Sequence, residues 1–223
     1  IIGFIATLIT LKYYKIAHAM KILPYHHLPD GTFRNLPGSP KRSEYRKSGS
    51  FLSLLYKGIV KREMFNQKEI PDFIPKNHFL DEKEALLQFK KNTENISITW
   101  LGHAAFLIKL GNNHILTDPF LSKTAGPFGI GPNRYIPSPI KVSNLPKINF
   151  ILISHNHYDH LDTKTLLKIS EKKNITVICP LNLSKIISGL GYKNVIERDW
   201  YESFSDLGLE IHSLPAYHWS RRL

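Results

Sequence analysis

The chain has no second cysteine, and therefore no internal disulfide framework: Cys179 stands alone, so packing and not covalent stapling must hold the fold. Cys179 closes the apolar run Ile175–Cys179 and reads as a small core residue. Acids are scarce, with 18 Asp and Glu against 30 Lys and Arg for a formal charge of +12. An initiating Met is also lacking, and the eleven uncharged residues Ile1–Leu11 are too few to span a bilayer, which takes about 20. No RNA- or DNA-binding motif, internal repeat or low-complexity tract is recognisable. Wholesale disorder is excluded by 42% hydrophobic and 22% charged residues, ordinary values for a globular domain.

The positive charge is unevenly placed. Through residue 60, nine Lys and Arg face only Asp30 and Glu44, so more than half of the excess sits in the first quarter of the chain. A basic segment beside an apolar one suits an anionic membrane surface; a solvated basic surface is the alternative. Ile1–Leu11 reads either as the remnant of a signal peptide or membrane anchor, or as a short buried helix or strand. The expected location is accordingly membrane-associated, with cytoplasmic as the alternative, and oligomeric state is left open.

Residues 12 to about 75 are interrupted by Pro24, Pro29, Pro37, Pro40, Pro71 and Pro75, which predicts an irregular arm with a short helix near Phe51–Lys61. Asp81 caps a predicted helix whose acids come first and bases last. Ile96–Trp100, Ala104–Leu110 and His114–Thr117 then read as strands, the last two joined as a hairpin through Gly111-Asn112-Asn113. The continuous apolar run Asn149–Ser154 is typical of a strand buried on both faces. Helices near Thr163–Glu171 and Leu183–Leu190 alternate with strands at Ile175–Cys179, Val195–Arg198 and Leu207–Ser213. Hairpins first and β-α-β units second predict a mixed α/β sheet covered by helices.

The chemistry concentrates in Ser154-His155-Asn156-His157-Tyr158-Asp159-His160-Leu161-Asp162. Three of the eleven histidines fall within six positions, directly after the buried strand, where α/β sheets commonly place ligand sites. Alternation in extended backbone points His155 and His157 the same way, able to grip one metal. The following turn can bring Asp159 and His160 to a second. Imidazole and carboxylate are good zinc ligands, and metal ions held this way make water acidic near neutral pH and stabilise developing charge. His218, in Pro215-Ala216-Tyr217-His218-Trp219, follows another apolar strand and is the next candidate ligand. His212, inside that strand, reads as a packing residue. His26, His27, His78 and His114 lack metal spacing.

Thr99-Trp100-Leu101-Gly102-His103-Ala104-Ala105-Phe106-Leu107-Ile108, Leu116-Thr117-Asp118-Pro119-Phe120, the histidine string and Pro215–Trp219 together resemble the metallo-β-lactamase superfamily. More closely, they resemble its branch containing N-acylphosphatidylethanolamine-hydrolysing phospholipase D and its bacterial relatives, and Gly31-Thr32-Phe33-Arg34-Asn35 is similar to a motif near that branch's N-terminus. The resemblance implies one zinc on His155, His157 and His218 and another on Asp159 and His160. It also implies that Tyr158 contacts a phospholipid headgroup and that His103 lines the pocket. Asp118 would brace the histidine loop; Asp118-Pro119 is equally an ordinary turn opener.

The implied architecture is an αββα sandwich. Residues 1–80 would be the arm and 81–223 a partial domain, with the second half largely missing. A bridging aspartate and a final histidine, which the resemblance places beyond His218, have no counterpart before Leu223. Two zincs belong to the complete site and one or two are expected here. The implied function is a zinc-dependent phosphodiesterase acting on phospholipids. The alternatives are a truncated, largely inactive zinc-binding fragment, or a nuclease or lactonase of the same superfamily.

Overall fold

The computed structural model describes residues 24–39, 74–129 and 131–222. The apolar start at 1–11 and the helix expected near Phe51–Lys61 lie outside the described residues. Among the described residues no helix is long and apolar enough to cross a membrane. They divide into two compact units, one of 24–39 with Pro215–His218, the other of 74–214 with 219–222.

In the smaller unit Asp30 makes the turn. Its carboxylate accepts from the Thr32 amide and hydroxyl at 3.0 and 2.6 Å, while Gly31 supplies the left-handed backbone (φ 79°) that side chains resist. The Arg34 guanidinium lies over the Tyr25 ring at 4.4 Å, and the Tyr217 hydroxyl donates to the Pro37 carbonyl at 3.3 Å. The Gly31–Asn35 motif is thus part of a local turn closed by the backbone bridge of His27 with Phe33.

In the larger unit, helix α1 (Glu82–Lys91) starts where Asp81 accepts from the Glu84 amide, with Glu82 and Glu84 in the first turn and Lys90 and Lys91 in the last, an arrangement that complements the helix dipole. Strands β1 (Ile96–Gly102), β2 (Ala105–Leu110) and β3 (Asn113–Thr117) form an antiparallel meander. Strands β4 (Phe150–Leu152), β5 (Thr176–Cys179) and β6 (Asn194–Glu197) extend it in parallel. Helix α2 (Thr163–Lys168) lies between β4 and β5 in the chain, and α3 (Ser184–Gly189) between β5 and β6. The result is a six-stranded mixed sheet in the order β1 to β6, as the change of period at residue 96 predicts.

Both faces of the sheet are buried at its centre. Phe150 and Ile151 are neighbours with no exposure, yet they belong to different cores. Ile151 packs with Leu101, Leu116, Leu166 and Ile187, whereas Phe150 packs with Ile115 and Ile178 against Phe204, Leu209 and Ile211. Cys179 lies in the first core, and burial, aided by the charge of Glu197, pushes its thiol up to about 12, consistent with an inert packing residue.

Three segments differ from the sequence pattern. Strand β4 ends at Leu152, short of Ser154, because the Ser154 amide turns to the Asp118 carboxylate. Helix α2 stops at Lys168, with Ile169 extended and buried. The single strand expected over Leu207–Ser213 is half of a separate hairpin, β7 (Ser203–Asp206) with β8 (Leu209–His212). Its turn takes positive φ at both Leu207 (49°) and Gly208 (76°), the backbone that matches strand twist. In β8, Leu209 and Ile211 face inward and His212 is exposed, 3.4 Å from Glu210, so it does not pack as expected.

Phe150→Ala should cost about 3–5 kcal/mol, since it removes a fully buried ring that meets Phe204 at 6.5 Å between centroids. Urea denaturation measures this; a loss near zero would mean that the β7–β8 hairpin contributes no packing there.

Candidate metal centre

Parallel pairing of β3 with β4, Thr117 beside Leu152, brings the residues after both strands to the same sheet edge. Asp118 is therefore set beside the histidine string although 36 positions separate it from Ser154. Its backbone is left-handed (φ 38°), which costs a non-glycine residue about 1 kcal/mol or more, and its amide donates to the Leu152 carbonyl at 2.9 Å. The carboxylate is buried and accepts from the Ser154 amide and the Ser154 hydroxyl, each at 2.7 Å. It also meets His160 Nδ1 at 2.9 Å. Hydrogen bonds to a charged group contribute about 1.5–3 kcal/mol each, enough to offset the backbone strain.

These contacts set the imidazoles. Burial pulls the His160 pKa down, but the hydrogen bond and charge of Asp118, with the charge of Asp159, outweigh it and hold His160 above its ordinary value. The Ser154 hydroxyl, donating to Asp118, can accept from His155 Nδ1 at 2.9 Å. In that tautomer His155 presents Nε2 as its donor atom, and His160 likewise, since its Nδ1 is turned to Asp118. The strand expected to direct His155 and His157 has already ended, yet the two are together, with ring centroids 4.5 Å apart and His155 Nε2 2.8 Å from His157 Nδ1. His155 and His160 are closer still, at 4.0 Å between centroids.

Asp159 faces the β1–β2 turn. Its Oδ2 lies 3.0 Å from His103 Nε2, and His103, Asp159 and His160 each offer a ligand atom within 4.8 Å of the others. The donor set fits a transition metal such as zinc. Imidazole and carboxylate are its ligand types, and carboxylate or hydroxyl partners on the far ring nitrogens are the usual supports of ligating histidines. His218 is exposed and belongs to the smaller unit.

Two supporting residues, Ser220 and Arg222, carry no signal in the sequence. Ser220 accepts from the Asn156 amide at 3.1 Å and donates to its side chain at 2.7 Å. Arg222 donates to the Asn156 and Leu161 carbonyls at 3.1 and 2.7 Å, and its guanidinium lies 4.1 Å over the Tyr158 ring, a favourable cation–π placement. The Trp219 ring packs on His157 at 4.2 Å. Tyr158, expected to meet a headgroup, is thus half-buried beneath an arginine. Only Ser154, adjoining the string and aligned with Asp118 once β3 and β4 are paired, could have been anticipated.

Residues 113–223 match the family model described as the Beta-lactamase superfamily domain, and the chain belongs to that superfamily. It is 37% identical over 135 residues to N-acyl-phosphatidylethanolamine-hydrolyzing phospholipase D 1 of Caenorhabditis elegans, covering 56% of this chain and 38% of that protein. It is 37% identical over 123 residues to a UPF0173 metal-dependent hydrolase of Caldivirga maquilingensis, covering 54% and 48%. Among solved structures it is similar to CmlA, a diiron beta-hydroxylase from Streptomyces venezuelae, at 30% identity and a TM-score of 0.43 over 56% of this chain and 24% of that one. The chain spans less than half the length of these two curated relatives.

Asp118→Asn should destabilise the metal-free protein by about 1–3 kcal/mol, most strongly at acid pH. A raised folded-state pKa means that the His160 contribution is fully present below the ordinary value of 6.5 and is lost as pH rises through the folded value. Urea denaturation with a chelator present, repeated from pH 5.5 to 9, should show the gap between the two proteins narrowing; a gap that widened with pH would contradict the pairing.

Proposed function

We propose that this chain carries the metal-binding part of a zinc-dependent phosphodiesterase of the phospholipase D type, acting on N-acylphosphatidylethanolamine-like phospholipids. The observation behind this reading is the histidine string gathered at the end of β4 and braced by one buried carboxylate. His155, His157 and His218 would hold one zinc, and Asp159 and His160 the other. The zincs, when bound, supply an acidic water as nucleophile and charge stabilisation for the phosphodiester.

The chain's own residues do the positioning. Asp118 and Ser154 engage the Nδ1 atoms of His160 and His155. Tyr158, with the Arg222 guanidinium over its ring, places an aromatic surface and a fixed positive charge beside the ligands, suited to an anionic headgroup. A phospholipid or membrane surface is the partner this reading calls for, with the basic excess before residue 60 as its electrostatic contact. Support for the substrate class comes from the likeness to the nematode phospholipase D, and for metal dependence from the likeness to the UPF0173 hydrolase.

Elemental analysis of the purified, dialysed chain, beside a His155→Ala/His157→Ala variant, tests the metal. About one to two zincs per chain are expected, with the loss of at least one in the variant; equal zinc in both, or none in either, would refute the site. Release of phosphatidic acid from N-acylphosphatidylethanolamine vesicles, absent in the variant, is the expected activity. Metal uptake with turnover of a lactone or of nucleic acid in its place would overturn the substrate.

A further inference from the structure

The turn between β1 and β2 carries more constraint than a two-residue connection needs. Gly102 (φ 92°) and His103 (φ 51°) are both left-handed. A side chain on Gly102 would overlap the Arg134 guanidinium. That guanidinium, half-buried and drawn below its ordinary pKa by burial against the pull of Asp162, reaches the Leu101 carbonyl at 2.7 Å, the Ile136 carbonyl at 3.1 Å and also the Phe120 carbonyl. The Trp100 indole donates to the His103 carbonyl at 2.9 Å. Backbone, arginine and indole together fix the site from which His103 reaches Asp159 and meets the ring of His160, centroids 5.2 Å apart. A non-glycine residue held left-handed by its surroundings at a cluster of ligand-type side chains is a recurrent mark of function.

We infer that His103 is a positioning residue: its Nε2–H donates to Asp159 Oδ2 and so fixes how that carboxylate is presented beside His160. Asp159 has few other means of orientation, because it sits in the turn after β4 and its side chain is about one-third exposed. An exposed carboxylate that rotates freely makes a weak ligand, whereas one held by an imidazole is oriented before the metal arrives. Arg134 acts one step further out, by holding the turn that carries His103. This inference rests on the reading of Asp159 and His160 as metal ligands.

Cobalt(II) titration of the metal-stripped chain tests it, followed by visible absorption and chelator competition, with His103→Leu, His103→Gln and Asp159→Asn alongside. Leu and Gln bear the same backbone strain at this position, and Gln retains a donor near the place of Nε2, so their difference isolates the hydrogen bond. The Leu variant should lose about 10–100-fold in cobalt affinity at the Asp159–His160 site, the usual effect of removing a support of a ligand. The Gln variant should recover most of that loss, and the His155–His157 site should be unchanged. Uptake by the Leu variant equal to that of the parent would overturn the inference while leaving the site intact. Equal loss in Leu and Gln would also overturn it, by making His103 itself a ligand. If Asp159→Asn takes up cobalt as the parent does, or the parent takes up none there, the reading of that site fails and the inference with it.

Discussion

A buried carboxylate must find partners, because an unpaired one would be forced to neutralise or would cost several kcal/mol. Asp118 finds them in the Ser154 amide, the Ser154 hydroxyl and His160 Nδ1, and the form of the site follows from that one requirement. The amide bond ends β4 two residues early. The hydroxyl bond uses the Ser154 proton and leaves that oxygen to accept from His155 Nδ1. The imidazole bond turns His160 across the string toward His155. None of this is local: Asp118 meets Ser154 only because β3 and β4 are parallel neighbours, so the sheet's topology supplies the geometry of the site.

Left-handed backbone occurs at this edge too, as it does at Glu171, Asn182, Tyr201 and Leu207. Gly102, His103 and Asp118 all have positive φ, and all three stand at strand ends: Gly102 closes β1, His103 follows it and Asp118 follows β3. At the non-glycine residues His103 and Asp118 such backbone persists only where surrounding contacts over-determine it. Here those contacts are the Arg134 guanidinium on the β1–β2 turn and the Ser154 and His160 bonds on Asp118. Well away from this edge the sheet is ordinary: apolar residues fill both faces around Phe150 and Ile151, and the capped helix α1 follows its end charges.

Much of this is legible in the chain itself. The six strands of the sheet were legible because each is a short apolar or alternating run bounded by Gly, Asn or Pro, and the metal-type string because histidine is rare enough for three in six positions to stand out. In sequence the brace at Asp118 is not separable from a plain turn, since only the parallel pairing decides what an aspartate 36 positions away can touch. Strand β7 was missed because Ser203, Ser205 and Asp206 dilute its single inward aromatic, Phe204. Arg134 and Arg222 could not be read at all. Both bond backbone carbonyls distant in sequence, and a carbonyl leaves no trace in residue type.

The most direct test is anomalous diffraction at the zinc edge from crystals of the zinc-loaded chain. The account predicts a peak within about 2.0–2.1 Å of His160 Nε2, with Nδ1 still on the Asp118 carboxylate, and a second peak beside His155 and His157. Zinc located elsewhere, or a His160 ring turned so that Nδ1 leaves Asp118 for the metal, would contradict it.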